Sequence, residues 1–162
     1  MSDPSRLVIR RLHPEDWQEF REIRLRALAQ APEAFSSTLA EAVQLDEAEW
    51  RRRLDARAQF IAIAEREAVG TAGGIDVGAR AELISMWVEP AVRRSEVGSQ
   101  LVSSVVEWAR NRGHSVLWLW VAEGNLAAEG LYAKQGFTRT GKSQPVDARR
   151  PTRGEFEMSL RL

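Results

Sequence analysis

The chain has 162 residues, enough for one domain with its own core and too few for two ordinary ones. Lys plus Arg and Asp plus Glu both number 23, which disfavours a general nucleic-acid or membrane-surface binder, since either would need a basic excess. Cysteine is absent, so disulfides, thiolate nucleophiles and Cys-ligated metals are excluded, and a reducing, cytoplasmic setting fits.

The opening "MSDPSRL" lacks the apolar segment of a signal peptide, and no stretch approaches the roughly 20 apolar residues of a membrane span. "LVIRRL" (7–12) predicts a strand. "PEDWQEFREIRLRALAQAP" (14–32) follows as a helix, with Pro14 in its first turn and Pro32 marking its end. "EAFSSTLAEAVQ" reads as loop with a short helical piece. "LDEAEWRRRLDARA" (45–58) is a charged helix capped by Asp46, with Trp50 and Leu54 turned inward.

"FIAIAE" (60–65) alternates as a strand, "REAVG" as a tight turn, "VGTAGGIDVG" as a glycine-rich strand and "AELISMWVE" (81–89) as another. These glycines match no phosphate-loop spacing and read as a place where other backbone packs close. "EVGSQLVSSVVEWARNRG" (96–113) is an amphipathic helix with Val97, Leu101, Val105 and Trp108 in one stripe and Gly113 as its stop. "SVLWLWVAE" (115–123) is apolar on both faces, which predicts cover on both sides. "NLAAEGLYAKQG" (125–136) is a helix capped by Asn125 and stopped by Gly136; "FTRTGK" and "GEFEMSLRL" close the chain as strands around a basic turn at 147–154. His13 and His114 read as loop histidines, and no metal site is expected. Trp17, Trp50, Trp108, Trp118 and Trp120 read as packing residues.

The join at 86–102 is the first candidate site. A strand, a turn bearing Arg93, Arg94 and Ser95, and a helix start present unpaired N–H groups and a positive dipole end, a setting for an anion. Gly98 allows close approach. The plainer alternative is that Ser95 caps the helix and Glu96 sits on the dipole.

The second stretch, "VAEGNLAAEGLYAKQGF", resembles the GNAT superfamily of acetyl-CoA-dependent N-acetyltransferases, and the residues that carry the resemblance are Asn125, Ala128, Leu131, Tyr132, Lys134, Gly136 and Phe137. The run from Arg93 to Gly98 then resembles the family's pyrophosphate motif, [RQ]-x-x-G-x-[GA]. The resemblance covers about residues 7–162, read as one N-acetyltransferase domain. It implies an α/β (α+β) fold: a mixed, mostly antiparallel central sheet of about seven strands with about four helices, in the order β-α-α-β-β-β-α-β-α-β-β. It implies that Met86, Trp87 and Val88 lend backbone groups to pantetheine through a β-bulge. N–H groups of Arg93, Arg94, Ser95, Glu96, Val97, Gly98 and Ser99 would hold the pyrophosphate. Asn125 would hydrogen-bond acetyl-CoA and Lys134 would reach a CoA phosphate. Tyr132 is the implied general acid and Glu82 the candidate general base, acting on a small-molecule or peptide amine. A homodimer is compatible with the resemblance; nucleic acid and membrane are not expected partners.

Glu96 departs from the pattern, because it stands where the motif has its first glycine. A carboxylate about 5 Å from a phosphate at an effective dielectric of 20 would cost roughly 3 kcal/mol, and roughly 1 kcal/mol in water-like surroundings. Outward rotation, or neutralisation by Arg93 or Arg94, would relieve it. The alternative to an enzyme is therefore a non-catalytic binding module on the same scaffold, its cofactor affinity weakened by Glu96.

Overall fold

In the computed structural model of the chain, which describes residues 6–147 and 150–162, the elements follow the expected order. The described residues form β1 (Val8–Leu12), α1 (Trp17–Gln30), α2 (Leu39–Ala42), α3 (Glu47–Asp55), β2 (Ala58–Ala64), β3 (Glu67–Val77), β4 (Arg80–Val88), α4 (Val97–Asn111), β5 (Val116–Ala122), α5 (Leu126–Lys134), β6 (Thr138–Asp147) and β7 (Arg150–Arg161). The strands make one seven-stranded sheet in the order β1-β2-β3-β4-β5-β7-β6, antiparallel except between β4 and β5. The helix beyond the four expected is the four-residue α2, started by a capping box between Thr38 and Glu41.

Local chemistry sets the boundaries. Asp46 accepts from the Glu49 N–H at 2.9 Å, and Asn125 from the Ala128 N–H at 3.2 Å, so both expected N-caps form. Gly113 and Gly136, at φ 83° and 101°, close α4 and α5 in the left-handed conformation that glycine adopts without a Cβ penalty. The turn expected at 66–70 lies earlier, because Glu65 and Arg66 take positive φ and β3 starts at Glu67. The basic turn expected at 147–154 lies partly outside the described residues. No helix among the described residues is long and apolar enough to cross a membrane.

Each face of the sheet carries a core. On one, the α4 residues Val97, Leu101, Val102 and Val105 pack with Leu83, Leu119, Val121 and Tyr132. On the other, Phe20, Ile23 and Leu28 of α1 and Trp50 of α3 pack with Leu12, Ile61 and Trp87. The β3 glycines make room mainly for side chains, those of α4 at Gly70 and Gly74 and that of Gln59 at Gly73, with neighbouring backbone close, as expected, only at Gly70, where the Trp87 carbonyl would lie 3.1 Å from a Cβ. A Cβ on Gly74 would sit 2.4 Å from the Trp108 ring, and one on Gly70 would sit 3.0 Å from Leu101 Cδ1.

One expectation fails clearly. β5 is not covered on both sides: Leu117, Leu119 and Val121 are buried, while Trp118 and Trp120 stay half-buried. The core beneath α1–α3 contains residues of β1, β2 and β4 and none of β5–β7, so cover stops at mid-sheet. Trp118 is instead overlaid by the Arg80 guanidinium, 4.0 Å from its ring centroid. Trp50 is fully buried as expected, with Trp17 and Trp108 half-buried against the two cores. His114 is more than a loop residue, since its Nε2 lies 2.7 Å from Asp76 Oδ1.

Candidate active site

The site begins where β4 and β5 part. They pair in parallel at Ala81–Leu117 and Glu82–Trp118 only. Beyond that rung, β4 carries a bulge: Gly73 pairs with Ile84 and Thr71 with Trp87, so one β3 residue faces both Ser85 and Met86. Ser85 takes φ 54°, a left-handed conformation uncommon for a residue with a Cβ. The extra residue breaks the period of two. Leu83 faces the α4 core, whereas Trp87, four residues on, is buried in the α1–α3 core. Met86 and Val88 border the α4 side. A bulge is therefore present, but it lies at Ser85–Met86, earlier than the expected 86–88, and Trp87 and Val88 pair with Thr71 and Gly70 of β3 while their other edge is the one that β5 has already left.

The end of β4 is tied down by side chains. Trp87 Nε1 donates to Gln30 Oε1 at 2.9 Å, and Arg93 Nη2 donates to the same oxygen at 3.0 Å. Arg93 Nε also donates to the Val88 carbonyl at 2.9 Å. Between β4 and α4 lie a 3-10 turn at Pro90–Val92 and Arg94 at φ 67°. The Ser95 hydroxyl donates to the Val92 carbonyl and accepts from the Val97 N–H, at 3.4 Å.

Two expectations change here. Glu96 is not neutralised by Arg93 or Arg94. Its carboxylate accepts from Gln100 Nε2 at 2.9 Å, one helical turn along the exposed surface of α4. Gly98 does not leave space for a ligand, since a Cβ there would lie 2.9 Å from Leu131 Cδ2. This glycine lets α5 approach the first turn of α4.

Tyr132 is 5% exposed, inside the α4 core, its ring centroid 5.8 Å from that of Phe137. Burial pushes its phenol above the ordinary value, so it stays protonated at neutral pH. Ala81 and Leu83 face that same core. Strand alternation therefore sends Glu82 to the opposite face, at the last paired rung, half-buried. The candidate acid and candidate base thus occupy opposite faces of the sheet, on either side of the parting. Asn125 and the exposed Lys134 stand at the two ends of α5, roughly 13 Å apart, and cannot serve the same group. Surface clefts between Arg11, Phe60 and Trp108, and between Glu22, Arg26 and Ile63, include none of these residues.

The profile of the acetyltransferase (GNAT) family matches residues 11–137. The chain belongs to the GNAT family. Over 90 residues it is 31% identical to N-acetyltransferase 8 of Homo sapiens, covering 52% of this chain and 40% of that protein. The chain thus spans well under half the length of that curated relative. It is similar to a GNAT acetyltransferase from Streptococcus pneumoniae (TM-score 0.80, 21% identity, 97% and 99% of the two chains). It is similar also to yncA of Salmonella typhimurium, solved with its cofactor acetyl-CoA (TM-score 0.78, 22% identity, 98% and 95%).

Sequence reasoning also missed several polar groups of this GNAT chain, among them Glu155 and Glu157 on the sheet face that carries Glu82. Glu157 is fully buried. Burial pushes its carboxyl up, but hydrogen bonds from Arg80 Nη2 (2.8 Å) and Thr140 Oγ1 (2.7 Å) outweigh burial and hold it below its ordinary value. Burial raises Glu155, the Glu82 charge adds to the rise, and a hydrogen bond from Gln144 opposes it. The alternation of Glu155 and Glu157 with Phe156 and Met158 was the available signal. Arg24 and Arg57 were also missed. Arg24 occupies a core position of α1, in step with Phe20 and Leu28, and that placement was readable from spacing.

Proposed function

We propose that this chain, residues 7–162 acting as one domain, transfers the acetyl group of acetyl-CoA directly to a primary amine. The observation that carries the reading is the parting of β4 from β5 at a bulge, immediately before the N-terminus of α4. Those features suit a long, amide-containing arm ending in phosphates. Released strand groups can pair with amides, and the N–H groups of a helix start receive an anion.

In this reading, backbone groups of Met86, Trp87 and Val88 hold the pantetheine arm. Amides of residues 93–99 hold the pyrophosphate, with Arg93 and Arg94 adding charge. Asn125 contributes a hydrogen bond, and Lys134 a cation for a further phosphate. Acetyl-CoA supplies the thioester whose acetyl group is transferred. An alkylamine, with a pKa near 10.4, must lose a proton before it attacks; Glu82 receives it, directly or through a water. The protonated Tyr132 Oη faces the departing sulfur. Its raised pKa keeps it protonated as a hydrogen-bond donor, and proton transfer follows only as negative charge builds on the sulfur. Released backbone N–H groups of the bulge stabilise negative charge on the carbonyl oxygen.

Glu96 gives little support to a non-catalytic module, because its carboxylate is held along α4 by Gln100 and not against the amides. No metal, nucleic acid or membrane enters the proposal. A reducing cytoplasm suits a chain without cysteine, and a homodimer is compatible with it. A thermal-shift titration with acetyl-CoA, followed by thiol release across an amine panel, tests the reading. A rising midpoint and amine-dependent release are expected; no shift at millimolar cofactor refutes it.

A further inference from the structure

Two arginines on the α1–α3 side of the sheet, Arg24 of α1, buried, and Arg57, half-exposed, lack ion-pair partners among the described residues. Arg24 is 7% exposed, its Nη1 buried without a hydrogen bond, and its guanidinium lies 4.5 Å from the Phe35 ring centroid. Arg57, at the entry to β2, has its Nε buried without a hydrogen bond. Its Nη1 donates to Ser85 Oγ, on the β4 bulge, at 3.3 Å. Neither arginine makes an ion pair among the described residues, and the charges that act on them are other arginines, Arg53 and Arg57 on Arg24 and Arg53 on Arg57. Burial, helped by those like charges, lowers both to about 10, so both remain cationic at neutral pH. An uncompensated buried cation costs stability, and a fold that needed only packing here would use an apolar side chain.

The position matters as much as the missing partners. Ser85 is three residues along β4 from Glu82, roughly 10 Å in an extended strand. Gln59 and Thr71 lie fully buried between the β2 and β4 ends of this band, with Gln59 Nε2 donating to Thr71 at 2.6 Å and Gln59 Oε1 unpartnered. A polar strip therefore runs from two cations to Glu82 on the face away from α4. Each arginine thus carries a guanidinium nitrogen without a hydrogen-bond partner, and a carboxylate is the group that guanidinium donors bind best.

Resting on the acetyltransferase reading, we propose that the acceptor is a zwitterionic amine of amino-acid type, its carboxylate held by Arg24 and Arg57 and its amino group presented towards Glu82. The acceptor then loses its ammonium proton at Glu82, its nitrogen forms the new bond to the acetyl carbon, the carbon–sulfur bond breaks, the sulfur takes the Tyr132 proton to leave as the CoA thiol, and the second proton lost by the nitrogen restores the phenol. The carboxylate remains unchanged and only orients the molecule.

The test compares amino acids with their decarboxylated counterparts in a thiol-release assay with acetyl-CoA: phenylalanine with phenethylamine, lysine with cadaverine, and β-alanine with ethylamine, with phosphoethanolamine added. Wild type is expected to favour the carboxylate-bearing members about 10–100-fold in kcat/KM, mainly through KM. Because amine pKa differs within each pair, the decisive readout is the change on substitution. Arg57→Gln and Arg24→Met should each bring the preference at least tenfold closer to parity, and Arg57→Lys should restore part of it. Arg24→Met should not lower the melting midpoint, as it would if Arg24 were only structural. If Arg24→Met fails to fold, the half-exposed Arg57 variants carry the test alone. A preference unaltered by substitution overturns the carboxylate site while leaving the acetyltransferase reading intact. A preference for phosphoethanolamine over every carboxylate overturns the assignment of the anion. No release with any amine overturns both readings.

Discussion

Glu96→Gln isolates the charge that departs from the family motif while keeping the side chain's length and its hydrogen bond to Gln100. The Glu96 carboxylate is held at Gln100 Nε2, four residues on, which displaces it about 6 Å along α4. A pyrophosphate received by the first-turn amides would then lie about 8 Å from it. The side chain is exposed, so water sets the dielectric and each unit-charge pair costs roughly 0.5 kcal/mol, or about 1 kcal/mol for two phosphate charges. At 0.15 M salt the screening length is also about 8 Å, which reduces the penalty to about 0.4 kcal/mol; at 0.01 M most of it remains. Calorimetric titration with acetyl-CoA should therefore show Kd tightening about twofold at 0.15 M and about fourfold at 0.01 M. A gain above about a hundredfold would mean that the carboxylate turns in against the phosphates. A change with no salt dependence would mean that the anion does not bind at these amides.

Tyr132→Phe should lower kcat by about 10²–10³-fold with the Kd for acetyl-CoA changed less than twofold; equal turnover would remove the acid role. Because burial raises the Tyr132 phenol, the wild-type pH–rate profile should show no loss from phenol ionisation up to about pH 10. Glu157→Gln should cost about 1–3 kcal/mol at pH 7, read from urea midpoints. The folded pKa of Glu157 is depressed, so its contribution is present above the unfolded value near 4.3 and is lost as pH falls through the lower folded one; the gap between wild type and variant should narrow at pH 3. Gly74→Ala forces a methyl against the Trp108 ring and should cost about 2 kcal/mol, seen as a melting midpoint lower by about 4–8 °C.

What the sequence made legible was the periodic part. The α4 stripe, the Asp46 and Asn125 caps and the glycine stops at 113 and 136 are local signals, and each appears where the pattern predicts it. Residue roles that depend on distant partners were less legible. Nothing in "WVEPAVRRSEVG" reveals that Arg93 turns back to the Val88 carbonyl and Gln30, 63 residues earlier. The apolar run at 115–123 suggested cover on both faces, but α1–α3 end their reach at β4, so the two tryptophans face a half-open surface. Gly98 looked like room for a phosphate because motif reasoning weighs only the ligand; its real neighbour is Leu131 of the next helix.

The distribution of unsatisfied groups sets the two faces of the sheet apart. Among the described residues, the buried side-chain atoms without a hydrogen-bond partner are Arg24 Nη1, Trp50 Nε1, Arg57 Nε, Gln59 Oε1 and Arg80 Nε. Arg24 and Trp50 come from the helices that cover one face, and strand alternation places Gln59 and Arg80 on that same face, opposite the α4 core. The core beneath α4 contributes none. Each such atom costs about 1–3 kcal/mol if it stays dry, a large sum for a domain whose net stability is only about 5–15 kcal/mol. Defective packing is a poor explanation, because the same face fully buries Phe20, Ile23 and Trp50. Groups desolvated in advance and held on rigid elements can bind a polar acceptor without first being stripped of water, which favours affinity and orientation together. On the proposed reading, the well-satisfied α4 side would receive the nucleotide, and the unsatisfied groups of the α1–α3 side would be stability given up to recognise the amine.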